Sequence, residues 1–287
     1  MTSHDPTAAP SEDTGVVAVV GTLNLDQVIR VDRLPADSET VLGLSQTERP
    51  GGKGANQALA AAGHARVALI GAVGDDTAAQ TMLTHQRSAG VDVDHIHHAE
   101  GISGRAVIEV DAHGTNRIIV LSGANTDLPV DHTLTALDAL DPDVVLTQLE
   151  CPMAITEAVA DWCRSHRRRF ILNPSPVAPL DDSILTIADP VIVNEVEETY
   201  YGGPEKLGST CRSVVITRGG AGVVVIDDAG EHHIEVRAVT ATDTTGAGDV
   251  FAGVLAAHLA GGLDLLDAAR HATSAATEFV ERGPAAH

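Results

Sequence analysis

The chain has 287 residues, 44% of them hydrophobic and 20% charged, which excludes a disordered polymer and leaves room for a sizeable core. A formal net charge of -22 excludes nucleic acid and anionic membrane surfaces as general partners, because both would repel it. Aromatic residues are only 2%, so the core must be built from Ala, Val, Leu and Ile, which suits a parallel sheet covered by helices.

Residues 1–15 are polar, lack an apolar h-region and read as a disordered N-terminal tail, not a signal peptide. Residues 16–287 read as a single domain. Val16 to Val20 is a β-branched run ending at Gly21, a buried strand feeding a turn. Gln27 to Val31, Arg105 to Val110 and Asn116 to Val120 instead alternate apolar and polar residues, which marks a sheet with one wet face. They predict a small separate sheet projecting from the main one, inserted as segments of about 24–50 and 103–121. Continuous apolar runs return at Val144 to Leu146, Phe170 to Leu172, Val191 to Val193, Val214 to Ile216 and Val223 to Ile226. Helical spacing separates them, at Ala55 to Gly63, Ile155 to Arg164 and Val250 to Leu259. The alternation predicts an α/β fold with a doubly wound, mostly parallel sheet flanked by helices. Ligands bind beyond the carboxyl ends of such strands, so motifs that follow strands carry most weight.

Cys151, Cys163 and Cys211 are odd in number and lack metal-type spacing, which predicts free thiols in a reducing cytoplasm. No stretch is long and apolar enough to span a bilayer. His95-Ile96-His97-His98 and His232-His233 lack the cysteines or His-Glu-x-x-His pattern of a zinc site and read as solvent-facing.

Asp243-Thr244-Thr245-Gly246-Ala247-Gly248-Asp249 runs into the helix beginning near Val250. Its glycines leave N–H groups bare at a positive helix end, a site for charge building on a transferring phosphoryl group. Asp249 is placed to take a hydroxyl proton, although an aspartate there also serves as a helix cap. Gly51-Gly52-Lys53-Gly54-Ala55-Asn56-Gln57 opens another helix but is not a Walker A loop, since Gly54 follows Lys53 where Ser or Thr would be needed. Close backbone approach to a polyhydroxylated ligand, with Asn56 as donor and acceptor, suits it. Asn24 and Asp26 follow the first strand and Glu150 ends a later one; together they offer acceptor oxygens to sugar hydroxyls. Asn194 and Glu197 either cap a helix or orient Mg²⁺ waters and phosphate. Thr217, Gly219 and Gly222, with Arg218, either form a plain hairpin turn or hold nucleotide phosphates.

This ordered series resembles the PfkB carbohydrate-kinase family, and within it the ribokinases. Gly123-Ala124-Asn125, Gln148-Leu149-Glu150, Leu172-Asn173-Pro174 and Asn194-x-x-Glu197 complete it, from Val16 to Gly283. The resemblance implies ATP-dependent phosphorylation of the primary hydroxyl of a sugar, first of all D-ribose to D-ribose 5-phosphate, with a kinase for another sugar or a nucleoside, or a catalytically weak sugar-binding or regulatory homologue, as the alternatives. Asp249 would be the base and Gly246, Ala247 and Gly248 the anion hole. Asn24, Asp26, Gly52, Lys53, Asn56 and Glu150 would line the sugar pocket. Asn194, Thr217, Gly219, Gly222 and Gly248 would hold ATP, with Asn194 and Glu197 acting on Mg²⁺ through water. A K⁺ ion would sit on the Asp243 side chain and the carbonyls of Thr245, Glu278, Glu281 and Gly283. Only Pro284-Ala285-Ala286-His287 follow Gly283, so the family's last cation-ligand position falls on His287. The small sheet, segments of about 24–50 and 103–121, would be the family's lid and would also join two copies as a homodimer.

Overall fold

The structure is a computed structural model that describes residues 15–239 and 244–283. The tail expectation lies outside them save for Gly15, which is held in the fold: its carbonyl accepts from the Arg66 N–H at 3.2 Å.

The chain opens with β1 (Val16–Val20), then β2 (Asn24–Val31) and β3 (Gly43–Gly51), and enters α1 (Lys53–Ala62). Next come β4 (Arg66–Val73), α2 (Thr77–Ser88) and β5 (Ile96–His98), followed by the hairpin β6 (Gly104–Val110) and β7 (Asn116–Leu121). The middle alternates as the apolar runs predict, with α3 (Val130–Leu140), β8 (Val144–Thr147), α4 (Met153–His166), β9 (Arg169–Leu172), α5 (Asp182–Leu185) and β10 (Val191–Asn194). Then follow α6 (Glu195–Tyr200), α7 (Gly203–Thr210), β11 (Val214–Thr217), β12 (Val223–Asp227) and β13 (Gly230–Ile234), and last α8 (Ala247–Ala260) and α9 (Leu265–Arg282).

Two sheets result. The large one has the order β13-β12-β11-β10-β9-β8-β1-β4-β5 and is parallel except where β12 and β13 turn back. Its central strands are buried on both faces, because one layer of apolar side chains meets α1, α2, α8 and α9 and the other meets α3, α4, α5 and α7. The small sheet has the order β3-β2-β6-β7. One expectation for it fails: β7 is exposed along its whole length, with Ile118 56%, Ile119 59% and Val120 58% accessible. It is an edge strand that no helix covers among the described residues, so alternation in the sequence does not translate into a buried face. The histidine reading also needs correction, since His97 is half-buried and packs at 5.3 Å against the His132 ring.

The carboxyl ends of β1, β8, β9, β10 and β11 point one way, and the residues after them gather at that edge. α8 reaches the same edge because it packs tightly on α1. A Cβ added at Gly253 would stand 2.2 Å from the Gln57 carbonyl oxygen, so only glycine permits this approach.

Candidate active site

Asp249 lies in the first turn of α8 and is only 8% exposed. Its Oδ1 accepts from Gln57 Nε2 at 2.9 Å and its Oδ2 from Asn56 Nδ2 at 3.4 Å, so neighbouring residues of α1 grip both oxygens. Burial pushes its carboxyl above the ordinary aspartate range, against the opposing pull of the Lys53 ammonium and the two amide donors. A carboxylate so held is a better proton acceptor than one in water.

Lys53, Asn173, Ser175, Asn194, Glu197, Thr217, Gly246, Gly248 and Asp249 line one cavity of about 210 Å³. The late and early glycine motifs, which end 192 positions apart at Asp249 and Gln57, thus meet at a single opening. Ala247, expected among the anion-hole donors, spends its N–H on the Thr244 carbonyl at 3.1 Å, while Gly248 faces the cavity. Gly246 heads the helix with the Phe279 ring of α9 against it: a Cβ added there would lie 3.4 Å from that ring.

The other residues expected to line the sugar pocket, Asn24, Asp26, Gly52, Asn56 and Glu150, lie outside that cavity lining. Gly52 turns with φ +94° and brings its backbone against Thr22 and Leu23, where a Cβ would meet the Thr22 carbonyl at 2.7 Å. Glu150 Oε2 accepts from the Lys53 N–H at 3.2 Å and from the Thr22 hydroxyl. Asp26, at the root of the lid, is pushed up to about 6 by burial, with Arg49 opposing and the nearby Glu150 carboxylate adding to the rise. Asn24 departs from its expected part. Its Oδ1 accepts from Asn125 Nδ2 at 2.9 Å, so a ligand would meet its amide donor instead of an acceptor. Asn125 also bonds both the N–H and the carbonyl of Leu23, each at 3.0 Å, and so fixes the strand that enters the lid.

At the other end, Asn194 does cap α6: its Oδ1 accepts from the Val196 and Glu197 N–H groups at 2.9 Å, and Glu197 Oε2 returns a bond to the Asn194 N–H. Both residues still line the cavity, so the capping and ligand readings coexist. Gly219 and Gly222 lie in the hairpin between β11 and β12 and do not line it; Arg218 turns to an ion pair with Glu198 at 3.2 Å. Asp243 lies outside the described residues. Glu278 and Glu281 fall in the last turns of α9, their side chains paired with Arg282 and Arg237, and Gly283 caps that helix.

Sequence reasoning assigned no part in the site to three buried amides, Gln57, Gln148 and Asn173, which are 0%, 1% and 8% exposed. Gln57 Nε2 also bonds Asn173 Oδ1 at 3.1 Å, and Gln148 Nε2 bonds Gln57 Oε1 at 2.6 Å. Each was visible within a motif; what was invisible is that they touch.

A helix-borne carboxylate, a lysine and helix-head N–H groups around one opening at the carboxyl edge of a parallel sheet define an α/β group-transfer enzyme. The sequence profile of the pfkB family carbohydrate kinases matches residues 15–287, and the chain belongs to that family. It is 38% identical to the ribokinase of Bacillus subtilis (strain 168) over 270 residues, 91% of either protein. The ribokinase structure from Thermotoga maritima superposes with a TM-score of 0.86 at 30% identity, covering 93% of both chains. That of Cryptococcus neoformans var. grubii serotype A, in complex with ADP, gives 0.80 at 29% identity, covering 93% of this chain and 94% of that one.

Proposed function

We propose that the protein transfers the γ-phosphate of ATP to the primary hydroxyl of D-ribose, giving D-ribose 5-phosphate and ADP. The observation that carries the reading is the buried Asp249 carboxylate, clamped by Gln57 at 2.9 Å in the cavity it shares with Lys53. Likeness to the Bacillus ribokinase supports ribose, and the ADP held by the Cryptococcus protein supports an adenine nucleotide.

The sugar is received beneath the lid by the Gly52 backbone, Lys53, Asn56, Glu150, Asp26 and the Asn24 amide. Its hydroxyl oxygen bonds to the γ-phosphorus as the bond to the bridging oxygen breaks, Asp249 takes the hydroxyl proton, and ADP leaves. N–H groups of Gly246 and Gly248, at the positive head of α8, face the charge spread over the transferring phosphoryl oxygens. Asn194, Thr217 and the hairpin glycines Gly219 and Gly222 hold the nucleotide.

The donor chemistry fits Mg²⁺, which keeps most of its waters. Glu197 spends Oε2 on the cap of α6, which leaves Oε1 to hold a magnesium water. Bound Mg²⁺ would neutralise phosphate charge there. K⁺ would be held by the Asp243 side chain and the carbonyls of Thr245, Glu278, Glu281 and Gly283; the Phe279 contact with Gly246 brings α9 to the head of α8. The catalytic unit is one domain from residue 16 onward with the lid inserted, and the protein works in the cytoplasm, where its three thiols stay reduced. Among the described residues no helix is long and apolar enough to cross a membrane. Leu42, Leu44, Ile119 and Val120 are exposed on the lid, and a second copy would cover apolar side chains there as a homodimer.

ADP release measured across pentoses, hexoses and nucleosides tests the reading. D-ribose should give the highest kcat/KM, in a Mg²⁺-dependent manner; a higher value on a hexose or nucleoside overturns it. Sedimentation should give a dimer, and Ile119→Asp a monomer.

A further inference from the structure

The chain of amides around Asp249 has a direction, and the backbone sets it. The carbonyl oxygen of Ile192, in β10, can only accept. Asn173 must therefore turn Nδ2 toward it, at 3.0 Å, which leaves Asn173 Oδ1 facing Gln57. Gln57 answers with Nε2 at 3.1 Å, and the same NH₂ group points its second hydrogen at Asp249 Oδ1, 2.9 Å away. Its Oε1 is then left to accept from Gln148 Nε2 at 2.6 Å. Flipping Asn173 or Gln57 would set donor against donor or acceptor against acceptor in a buried site, which costs about 1–3 kcal/mol for each group left unpaired.

We propose that the Ile192 carbonyl, relayed by Asn173 and Gln57, holds Asp249 Oδ1 as a permanent hydrogen-bond acceptor, so that the proton of an incoming hydroxyl is delivered to Oδ2 alone. Gln57 is thereby a positioning residue, and the strand that ends at Asn194 on the nucleotide side also orients the base on the sugar side. The inference rests on the reading of Asp249 as base. Oδ2 is the freer oxygen geometrically: its one hydrogen bond among the described residues, with Asn56, is long at 3.4 Å, and a substrate oxygen can displace it. The charged side chains that line the same opening are Lys53 of α1 and Glu197 of α6, and neither is altered by the test below.

The test is the ¹³C titration of the Asp249 carboxyl in the intact protein, assigned as the signal lost in Asp249→Asn, beside the pH profile of kcat. Gln57→Leu removes the donors and should move the Asp249 midpoint up by about one pH unit, because a bond made to the charged form favours that form. The acid limb of kcat should move with it, and kcat on the plateau should fall about tenfold with KM changed less than about threefold. Gln57→Met keeps the length of the side chain but has no donor for Asp249 and adds no charge, and should shift both midpoints upward as well; it also serves where Gln57→Leu does not fold. A merely structural role for Gln57 would lower stability and leave both midpoints in place, and unmoved midpoints in the folded variants overturn the proposal. The NMR arm needs no turnover. A shifted titration in a protein that does not phosphorylate D-ribose therefore upholds the relay while defeating the ribose reading.

Discussion

The missing side chain of Gly253 is what lets the carbonyl of Gln57 approach α8: a Cβ there would stand 2.2 Å from that oxygen. Gly253 lies one turn beyond Asp249 on α8, and Gln57 makes the shorter of the two bonds that grip Asp249. The spacing of two helices and the placement of the base are thus one geometric fact.

Gly253→Ala should push α8 from α1, costing about 1–3 kcal/mol as an overpacked contact does. Because the displaced helix carries Asp249, kcat should fall about tenfold or more even where the protein stays folded. Urea unfolding and steady-state kinetics on one preparation check both parts.

Asp26 gives a stability prediction with a definite sign. Its carboxyl is pushed up to about 6 from 3.8 by burial, so between those values the folded protein holds a proton that the unfolded chain has released. Its contribution is fully present below about pH 4 and is lost as pH rises through about 6. Asp26→Asn should therefore be more stable than the wild type at pH 8, by up to about 3 kcal/mol, and should lose that advantage by pH 4. Sugar affinity should fall in the same variant. Denaturant midpoints at the two pH values decide the matter; an equal gap at both would mean that burial of the charge is not the cause.

Asn125→Ala should leave the Leu23 N–H and carbonyl without partners and release the Asn24 amide. We expect a loss of roughly 2–4 kcal/mol, from two unpaired buried groups. KM for the sugar should rise about tenfold with a smaller change in kcat, because the root of the lid is affected and the base is not. A kcat loss with KM unchanged would speak against Asn125 as the anchor of the sugar side.

His258 of α8 stacks on His271 at 4.4 Å and tilts against His64 at 5.1 Å. Burial, with the two neighbouring rings adding, lowers it to about 4. The unfolded chain binds the extra proton first, so stability should fall as pH drops from about 6.5 toward 4. His258→Gln should flatten that slope, as thermal melts across the range will record.

Much of this architecture is legible in the sequence. Val144 to Leu146, Phe170 to Leu172 and Val191 to Val193 are continuous apolar runs because their strands are covered on both faces, and they mark the sheet before any coordinates do. The glycine clusters likewise mark where backbone is exposed at a helix head. Partnerships are what the sequence hides. Gln57 meets Gln148 across 91 positions and Asp249 across 192, and no local pattern encodes such a contact. For the same reason the acceptor oxygen of Asn24 looked free, although Asn125, 101 positions away, occupies it. Strand β7 misled in the opposite sense, since alternation records which side chains could be buried and not whether anything covers them.

The central claim is that Asp249 takes the hydroxyl proton of the sugar, and Asp249→Asn tests it most directly, with ADP release followed under saturating ATP, Mg²⁺ and D-ribose. The substitution keeps the shape and removes the base, so kcat should drop about 10³-fold or more while calorimetry finds D-ribose bound with nearly unchanged affinity. Turnover within a few-fold of the wild type would contradict the account.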